Sequence, residues 1–127
     1  MRLVDSSAWI EWITDGPLRA KIGTLLPSQS EWLVPTIVQY ELSKWLLRSA
    51  PLDDRGQQLI AFSTRCVVVP LTTEVAVSAS HYGRAHNLAV ADAIIYASAQ
   101  AYGADIVTCD AHFKDLPAVL YLPKRPS

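Results

Sequence analysis

The stretch "RAHNLAVADAIIYASAQAYGADIVTCDAHF", residues 84–113, decides the fold. Within it, "VADAIIYASAQAYG" predicts a helix that ends at Gly103, a residue type common just past a helix end. The next residues, "ADIVT", predict a short buried strand. A helix that leads directly into an apolar strand is typical of a parallel sheet whose connections are helices.

The same alternation extends towards both ends of the chain. Further strands are predicted at "RLVD", "WLVP", "CVVVP" and "AVLYL". Helices are predicted after Ser6 and Ser7 as caps, from Pro17 to Leu26, from a Thr36/Gln39 capping box to Pro51, from Asp53 or Asp54 to Ser63, and from Thr72 to His86. The expected fold class is therefore α/β, a three-layer α/β/α sandwich with a mainly parallel sheet.

Size and composition favour one domain. The chain has 127 residues, and 50% of them are hydrophobic, which suffices for one ordinary core. We therefore expect residues 1–127 to form a single domain. Core packing is the simplest use of the four tryptophans, and contact with a partner is the alternative.

The net charge excludes a protein that binds nucleic acid through an overall positive charge. The formal net charge is -1, whereas phosphate neutralisation needs clustered lysine and arginine. RNA binding would have to be local or assisted by metal ions. The candidate cations are Arg19, Lys21, Lys44, Arg48, Arg55, Lys124 and Arg125.

No targeting or membrane signal is visible in the sequence. Asp5 and Glu11 interrupt the apolar N-terminal residues, and no apolar run approaches the roughly 20 residues of a membrane span. Cys66 and Cys109 lack the spacing of a zinc site or a disulfide framework. We therefore expect a cytoplasmic protein with reduced cysteines.

Two acids follow predicted strands. Asp5 comes after "RLV" and Asp110 after "DIVTC". In open parallel sheets ligands bind beyond the carboxyl ends of the strands, so both acids are candidate site residues. The alternatives are a helix cap for Asp5 and a turn residue for Asp110.

Two more acids lie on predicted helices among apolar neighbours. Asp92 is the only formally charged side chain between Arg84 and Asp105, and its alternative role is that of a negative charge in the first turn of a helix. Glu41 lies one turn before Trp45, and a surface pair with Lys44 would also explain it. If all four acids converge, their mutual repulsion requires a cation, and their oxygen ligands favour Mg²⁺ or Mn²⁺ over zinc.

With these residues in place, the sequence resembles the PIN-domain family, and within it the VapC-type toxins of toxin–antitoxin pairs. The resemblance rests on "LVDSSAWIEW", "PTIVQYELSK" and the 84–113 stretch, and it covers nearly the whole chain. It implies that Asp5, Glu41, Asp92 and Asp110 are both the catalytic and the metal-binding residues. Ser7 and Thr108 match hydroxyl positions that assist such a site.

The resemblance also implies a five-stranded parallel sheet, a homodimer, and a cognate antitoxin that blocks the site. The implied activity is that of a Mg²⁺- or Mn²⁺-dependent endoribonuclease acting on an RNA substrate. In such a hydrolase, bound cations polarise the scissile phosphate and make a bound water more acidic.

Three other interpretations fit less well. A haloacid-dehalogenase-like phosphatase needs a second Asp two residues after the first, where this chain has Ser7. A receiver domain of two-component signalling needs a Lys after a late strand, where this chain has Asp110. The non-enzymatic alternative is a PIN-like interaction module with a structural or vestigial metal site.

Overall fold

The computed structural model describes residues 1–49 and 54–124. The strands are β1 (Arg2–Val4), β2 (Trp32–Pro35), β3 (Val67–Val69), β4 (Asp105–Thr108) and β5 (Val119–Tyr121). The helices are α1 (Ser6–Ile13), α2 (Arg19–Gly23), α3 (Thr36–Ser49), α4 (Asp54–Thr64), α5 (Thr73–His86) and α6 (Val90–Ala101), with 3₁₀ turns at Gln29–Glu31 and Ala111–Phe113. The predictions made for Pro51, Asp53 and Arg125 lie outside the described residues.

The five strands form one sheet in the order β3-β2-β1-β4-β5, and each neighbouring pair is parallel. Leu3 of β1 lies between Leu33 of β2 and Ile106 of β4. Successive side chains of a strand point to opposite faces, and both Leu33 and Val34 are fully buried. Both faces of the sheet are therefore covered, which confirms the predicted α/β class and parallel sheet.

Two local predictions were wrong, the burial of the third strand and the length of the second helix. "CVVVP" was expected to be fully buried, but β3 is an edge strand and Val68 is 37% exposed. The second helix was expected from Pro17 to Leu26, yet α2 has only five residues. Leu18 is its N-cap, and the Leu18 amide donates to Oε1 of Glu11 at 3.2 Å.

The predicted capping box at the start of α3 was also wrong. Thr36 is itself the first residue of the helix, directly after β2. Gln39 does not turn back towards it, because its Nε2 donates to Oγ of Ser63 on α4 at 3.1 Å. A bond between two packed helices thus replaces the local bond expected from the sequence.

The tryptophans divide between the core and a groove. Trp9 and Trp32 are buried, with ring centroids 4.7 Å apart, and Phe62 packs edge-on against both. Trp12 and Trp45 are half-buried and line an open groove between α1, α3 and α4. Cys66 and Cys109 are buried and do not form a disulfide with each other. In the described part of the chain, no helix has both the length and the hydrophobicity that a membrane crossing requires.

Glu11 has a structural role that requires a glycine beside it. Its side chain is buried and accepts the Leu18 amide at the turn between α1 and α2. A Cβ atom added to Gly16 would lie only 2.3 Å from the Glu11 carboxylate, so the acid would have to leave its partner.

We therefore expect Gly16→Ala to lower the free energy of unfolding by about 1–3 kcal/mol, because the displaced Glu11 carboxylate loses its hydrogen bond with the Leu18 amide. Gly23→Ala is the matched control, because a Cβ at Gly23 meets nothing within 4 Å. That control should be neutral or stabilising by up to about 1 kcal/mol. Urea unfolding of both variants measures the difference, and equal stabilities would contradict the role assigned to Glu11.

Candidate metal centre

Four acids lie around the carboxyl ends of the neighbouring strands β1 and β4. Asp5 directly follows β1, and Asp110 follows β4 by two residues. Because β1 pairs with β4, the Asp5 amide donates to the carbonyl of Val107 at 2.9 Å. The first turn of α6 contributes Asp92, and α3 contributes Glu41.

Asp5 is the most enclosed of these acids, with only 3% of its surface exposed. Its Oδ1 accepts the amide of Ser6 at 2.8 Å, so Asp5 itself is the N-cap of α1. The two serines that were predicted to cap this helix are its first residues. Oδ2 accepts two hydroxyl groups, from Ser7 at 3.0 Å and from Thr108 at 2.8 Å.

The same two hydroxyls bind the backbone beyond β4. Oγ of Ser7 accepts the amide of Cys109 at 3.0 Å, and Oγ1 of Thr108 accepts the amide of Asp110 at 2.9 Å. Each hydroxyl thus donates to Asp5 and accepts from the loop that carries Asp110. This network fixes the loop relative to Asp5.

Glu41 reaches the same region from α3. Its Oε1 accepts the hydroxyl of Ser6 at 3.1 Å, and its carboxylate is half-buried. Glu41 is therefore bound to the helix that Asp5 caps. The sequence offered no signal for Ser6 in this role, because its partner lies 35 residues away.

The side chains of Asp92 and Asp110 both contact His112, which the sequence analysis did not identify as a site residue. Nδ1 of His112 lies 3.1 Å from Oδ2 of Asp92 and 3.3 Å from Oδ1 of Asp110. The only hint in the sequence is that His112 comes two residues after Asp110, in a segment interpreted as a loop. Asp92 is 13% exposed and Asp110 30%, so both remain open to solvent.

Burial and mutual repulsion raise the pKa of three of the acids. The pKa of Asp5 is raised mainly by burial and further by the charge of Asp110. The pKa of Glu41 is raised first by burial, then by Asp5, and less by Asp92 and Asp110. For Asp92, burial again dominates, followed by the charge of Asp110. Hydrogen bonds through Ser6, Ser7 and Thr108 bring Asp5, Glu41 and Asp110 to one crevice, with Asp92 beside Asp110. Asp5 and Glu41 are not part of the group of described residues whose ligand atoms lie within 4.8 Å of one another, which is Asp92, Asp110 and His112.

The donor set suits a hard divalent cation. Asp92, Asp110 and His112 each offer a ligand atom, and these three atoms lie within 4.8 Å of one another. Oδ1 of Asp5 accepts only one hydrogen bond, so a lone pair remains. Carboxylate oxygens are the ligands that Mg²⁺ and Mn²⁺ favour. A cation would also relieve the repulsion that raises the carboxyl pKa values.

One lysine near the end of the described residues acts on the buried thiol of Cys109. Burial raises the pKa of the Cys109 thiol to about 11, and the charge of Lys124 partly opposes that rise. Lys124 therefore lies within electrostatic range of the Cys109 side chain. By contrast, the candidate cation Arg19 forms an exposed i,i+4 pair with Asp15 at 3.1 Å.

The repulsion predicts a pH dependence of stability without divalent ions. A carboxyl group whose pKa is raised in the folded state makes the protein less stable as the pH rises. For Glu41, this loss of protein stability begins near the ordinary pKa of 4.5 and continues through the raised pKa. Glu41→Gln keeps an acceptor for Ser6 but removes the charge. We expect this variant to gain stability over wild type as the pH rises from 4 to about 7.5.

Urea unfolding in a chelator at both pH values measures this gain, with Glu74→Gln, on the exposed start of α5, as the control. A wild type that is as stable as Glu41→Gln at both pH values would contradict the repulsion.

Comparison with known proteins places this chain in a family. The family model for the PIN domain matches residues 2–119. A toxin–antitoxin complex from Klebsiella pneumoniae aligns with a TM-score of 0.80 at 16% identity, covering 94% of this chain and 96% of that chain. No curated protein matches the sequence.

Two further solved structures are similar over nearly their whole length. The VapC20 toxin of Mycobacterium tuberculosis, which cleaves the sarcin–ricin loop, has a TM-score of 0.72 at 20% identity, with 97% of this chain and 100% of that chain covered. VapBC2 from Rickettsia felis, bound to a DNA fragment from its promoter, has a TM-score of 0.72 at 17% identity, with coverages of 95% and 96%. At these identities the likeness concerns the fold, whereas the family model covers the sequence itself: this chain belongs to the PIN domain family.

Proposed function

We propose that this chain is a Mg²⁺- or Mn²⁺-dependent endoribonuclease and the toxin of a toxin–antitoxin pair, in which Asp5, Glu41, Asp92 and Asp110 are the catalytic and metal-binding residues. The observation that carries the proposal is the position of these acids at the carboxyl ends of β1 and β4. Hydrogen bonds join Glu41 to α1, which Asp5 caps, and join Asp5 to the loop that carries Asp110, beside Asp92. Membership in the PIN domain family supports the nuclease class.

The residues around the acids divide the work in this proposal. Ser7 and Thr108 assist by holding Asp5 and the loop that carries Asp110. Asp92 and Asp110 are partly open to solvent, where a phosphodiester could approach. Divalent cations bound by the acids would polarise the phosphate, acidify a water nucleophile and stabilise the leaving oxygen.

Charge also favours a metal-dependent site. The protein carries a formal net charge of -1, and ionised carboxylates in one crevice repel a phosphate. Bound cations would reverse that repulsion. We further propose that the domain works in the cytoplasm, where its RNA substrate is found. The homodimer stays a prediction, which light scattering can test.

The activity test compares wild type with Asp92→Asn on a mixed RNA pool with added Mn²⁺. We expect wild type to cleave RNA and a chelator to stop the cleavage. The cleavage rate of Asp92→Asn should be lower by at least about 100-fold, because loss of a metal ligand should cost at least as much as the largest typical effect of losing an outer-shell partner. Asp115→Asn is the matched control, because Asp115 lies in an exposed turn with φ 68°, a conformation that Asn tolerates.

Equal cleavage by Asp92→Asn and wild type would overturn the assignment of the site, and cleavage that persists in chelator would overturn the metal dependence. A single-stranded DNA pool run in parallel tests the preference for RNA. Metal binding without cleavage of either nucleic acid would favour the alternative, a non-catalytic PIN-like interaction module with a structural or vestigial metal site.

The groove is the proposed contact surface for the antitoxin. Its volume is about 830 Å³, and aromatic and aliphatic side chains from three helices form most of its wall. These side chains are Trp12, Ile13, Trp45, Leu46, Leu59 and Phe62. An apolar helix or extended segment of a partner would fill such a groove. The support from relatives is that several similar folds were solved as toxin–antitoxin complexes.

Trp45→Ala should weaken binding of the antitoxin encoded beside this gene by about 2 kcal/mol or more, because a half-buried tryptophan in a groove is a typical hot spot. RNA cleavage without antitoxin should be unchanged. Tyr102→Ala removes an exposed aromatic ring that does not line the groove and serves as the control. Titration calorimetry measures both affinities, and unchanged binding by Trp45→Ala would exclude the groove.

A further inference from the structure

The position of His112 is fixed by its neighbours in the chain. Phe113, fully buried, anchors the 3₁₀ turn in the core. The amide of His112 donates to Oδ1 of Asp110 at 2.9 Å, which fixes the start of that turn. The imidazole therefore projects from a held backbone towards Asp92 on α6.

A polar interaction and not packing holds the imidazole against the acids, because its Nδ1 lies at hydrogen-bond distance from Oδ2 of Asp92. The His112 side chain is 71% exposed, so solvent could hydrate its ring in other orientations. Its Nδ1 nevertheless lies within 3.3 Å of carboxylate oxygens from two different segments. The ring thus completes a cluster of one nitrogen and two oxygen donors.

The spacing of these donors fits a single cation. Adjacent ligands of an octahedral ion with bonds of about 2.1 Å lie about 3 Å apart. Nδ1 of His112 lies 3.1 Å from the Asp92 oxygen and 3.3 Å from the Asp110 oxygen. One ion could contact all three donors without displacing the turn.

We propose that His112 is a further metal ligand, through Nδ1, and that it makes this centre prefer Mn²⁺ to Mg²⁺. The proposal rests on the metal-dependent function proposed above. Mg²⁺ binds oxygen ligands and keeps several waters, whereas imidazole nitrogen suits transition metals better. A centre formed by the four acids alone would lack this source of selectivity.

Direct binding measurements test the selectivity. The dissociation constants of Mn²⁺ and Mg²⁺ are measured by titration calorimetry for wild type and His112→Ala, with His81→Ala and His86→Ala as controls at the two other histidines, both exposed. We expect His112→Ala to weaken Mn²⁺ by at least about tenfold, as loss of an inner-shell contact should, and to change Mg²⁺ by less than about twofold. The controls should match wild type for both ions.

Spectroscopy provides a readout that is independent of affinity. Electron spin echo spectra of bound Mn²⁺ should show coupling to a histidine nitrogen, verified by ¹⁵N-histidine labelling. The coupling should vanish in His112→Ala and persist in His81→Ala and His86→Ala. Unchanged coupling, or an equal loss of both ions in His112→Ala, would overturn the proposal.

Asp92→Asn separates this proposal from the function on which it rests. If Asp92→Asn loses Mn²⁺ while His112→Ala keeps wild-type affinity and nitrogen coupling, the histidine ligand is wrong and the acidic centre stands. If wild type binds neither Mn²⁺ nor Mg²⁺, both the centre and the histidine ligand are wrong.

Discussion

The buried carboxylate of Asp5 joins the first strand, the first helix and the loop after β4. Burying a charged group is costly unless hydrogen bonds replace its water, and Asp5 accepts an amide and two hydroxyls. Because those hydroxyls also accept amides from residues 109 and 110, the strand end and the loop are held by the same atoms. Asp110 and, through Ser6, Glu41 are held relative to this junction.

The acids are arranged against their own electrostatic preference. Burial and neighbouring charge raise the pKa of Asp5, Glu41 and Asp92 together, so the ionised cluster is less stable than isolated surface acids would be. Structural needs alone do not explain this, because one capping acid would suffice for α1. Clustered carboxylates of this kind are common at functional sites, which is why the crevice carries the proposed function.

The elements that were predicted well are those with strong local signals. Thr72 caps α5 by accepting the Val75 amide, and Gly103 adopts φ 60° just beyond α6, as their residue types suggest. The predictions that failed depended on distant partners. Gln39 binds Ser63 instead of its own helix start, and Val68 is partly exposed on β3, the edge strand of the described sheet.

The sequence by itself determined the α/β alternation and the candidate acids, because periodicity and strand ends are local properties of the chain. Only the tertiary structure decided the partners of those acids. Thr108 is 103 residues from Asp5, Ser6 is 35 from Glu41, and His112 is 20 from Asp92. Such pairs form only when strand order and helix packing bring distant segments together. For the same reason, only the tertiary structure identified the exposed His112 as a candidate metal ligand.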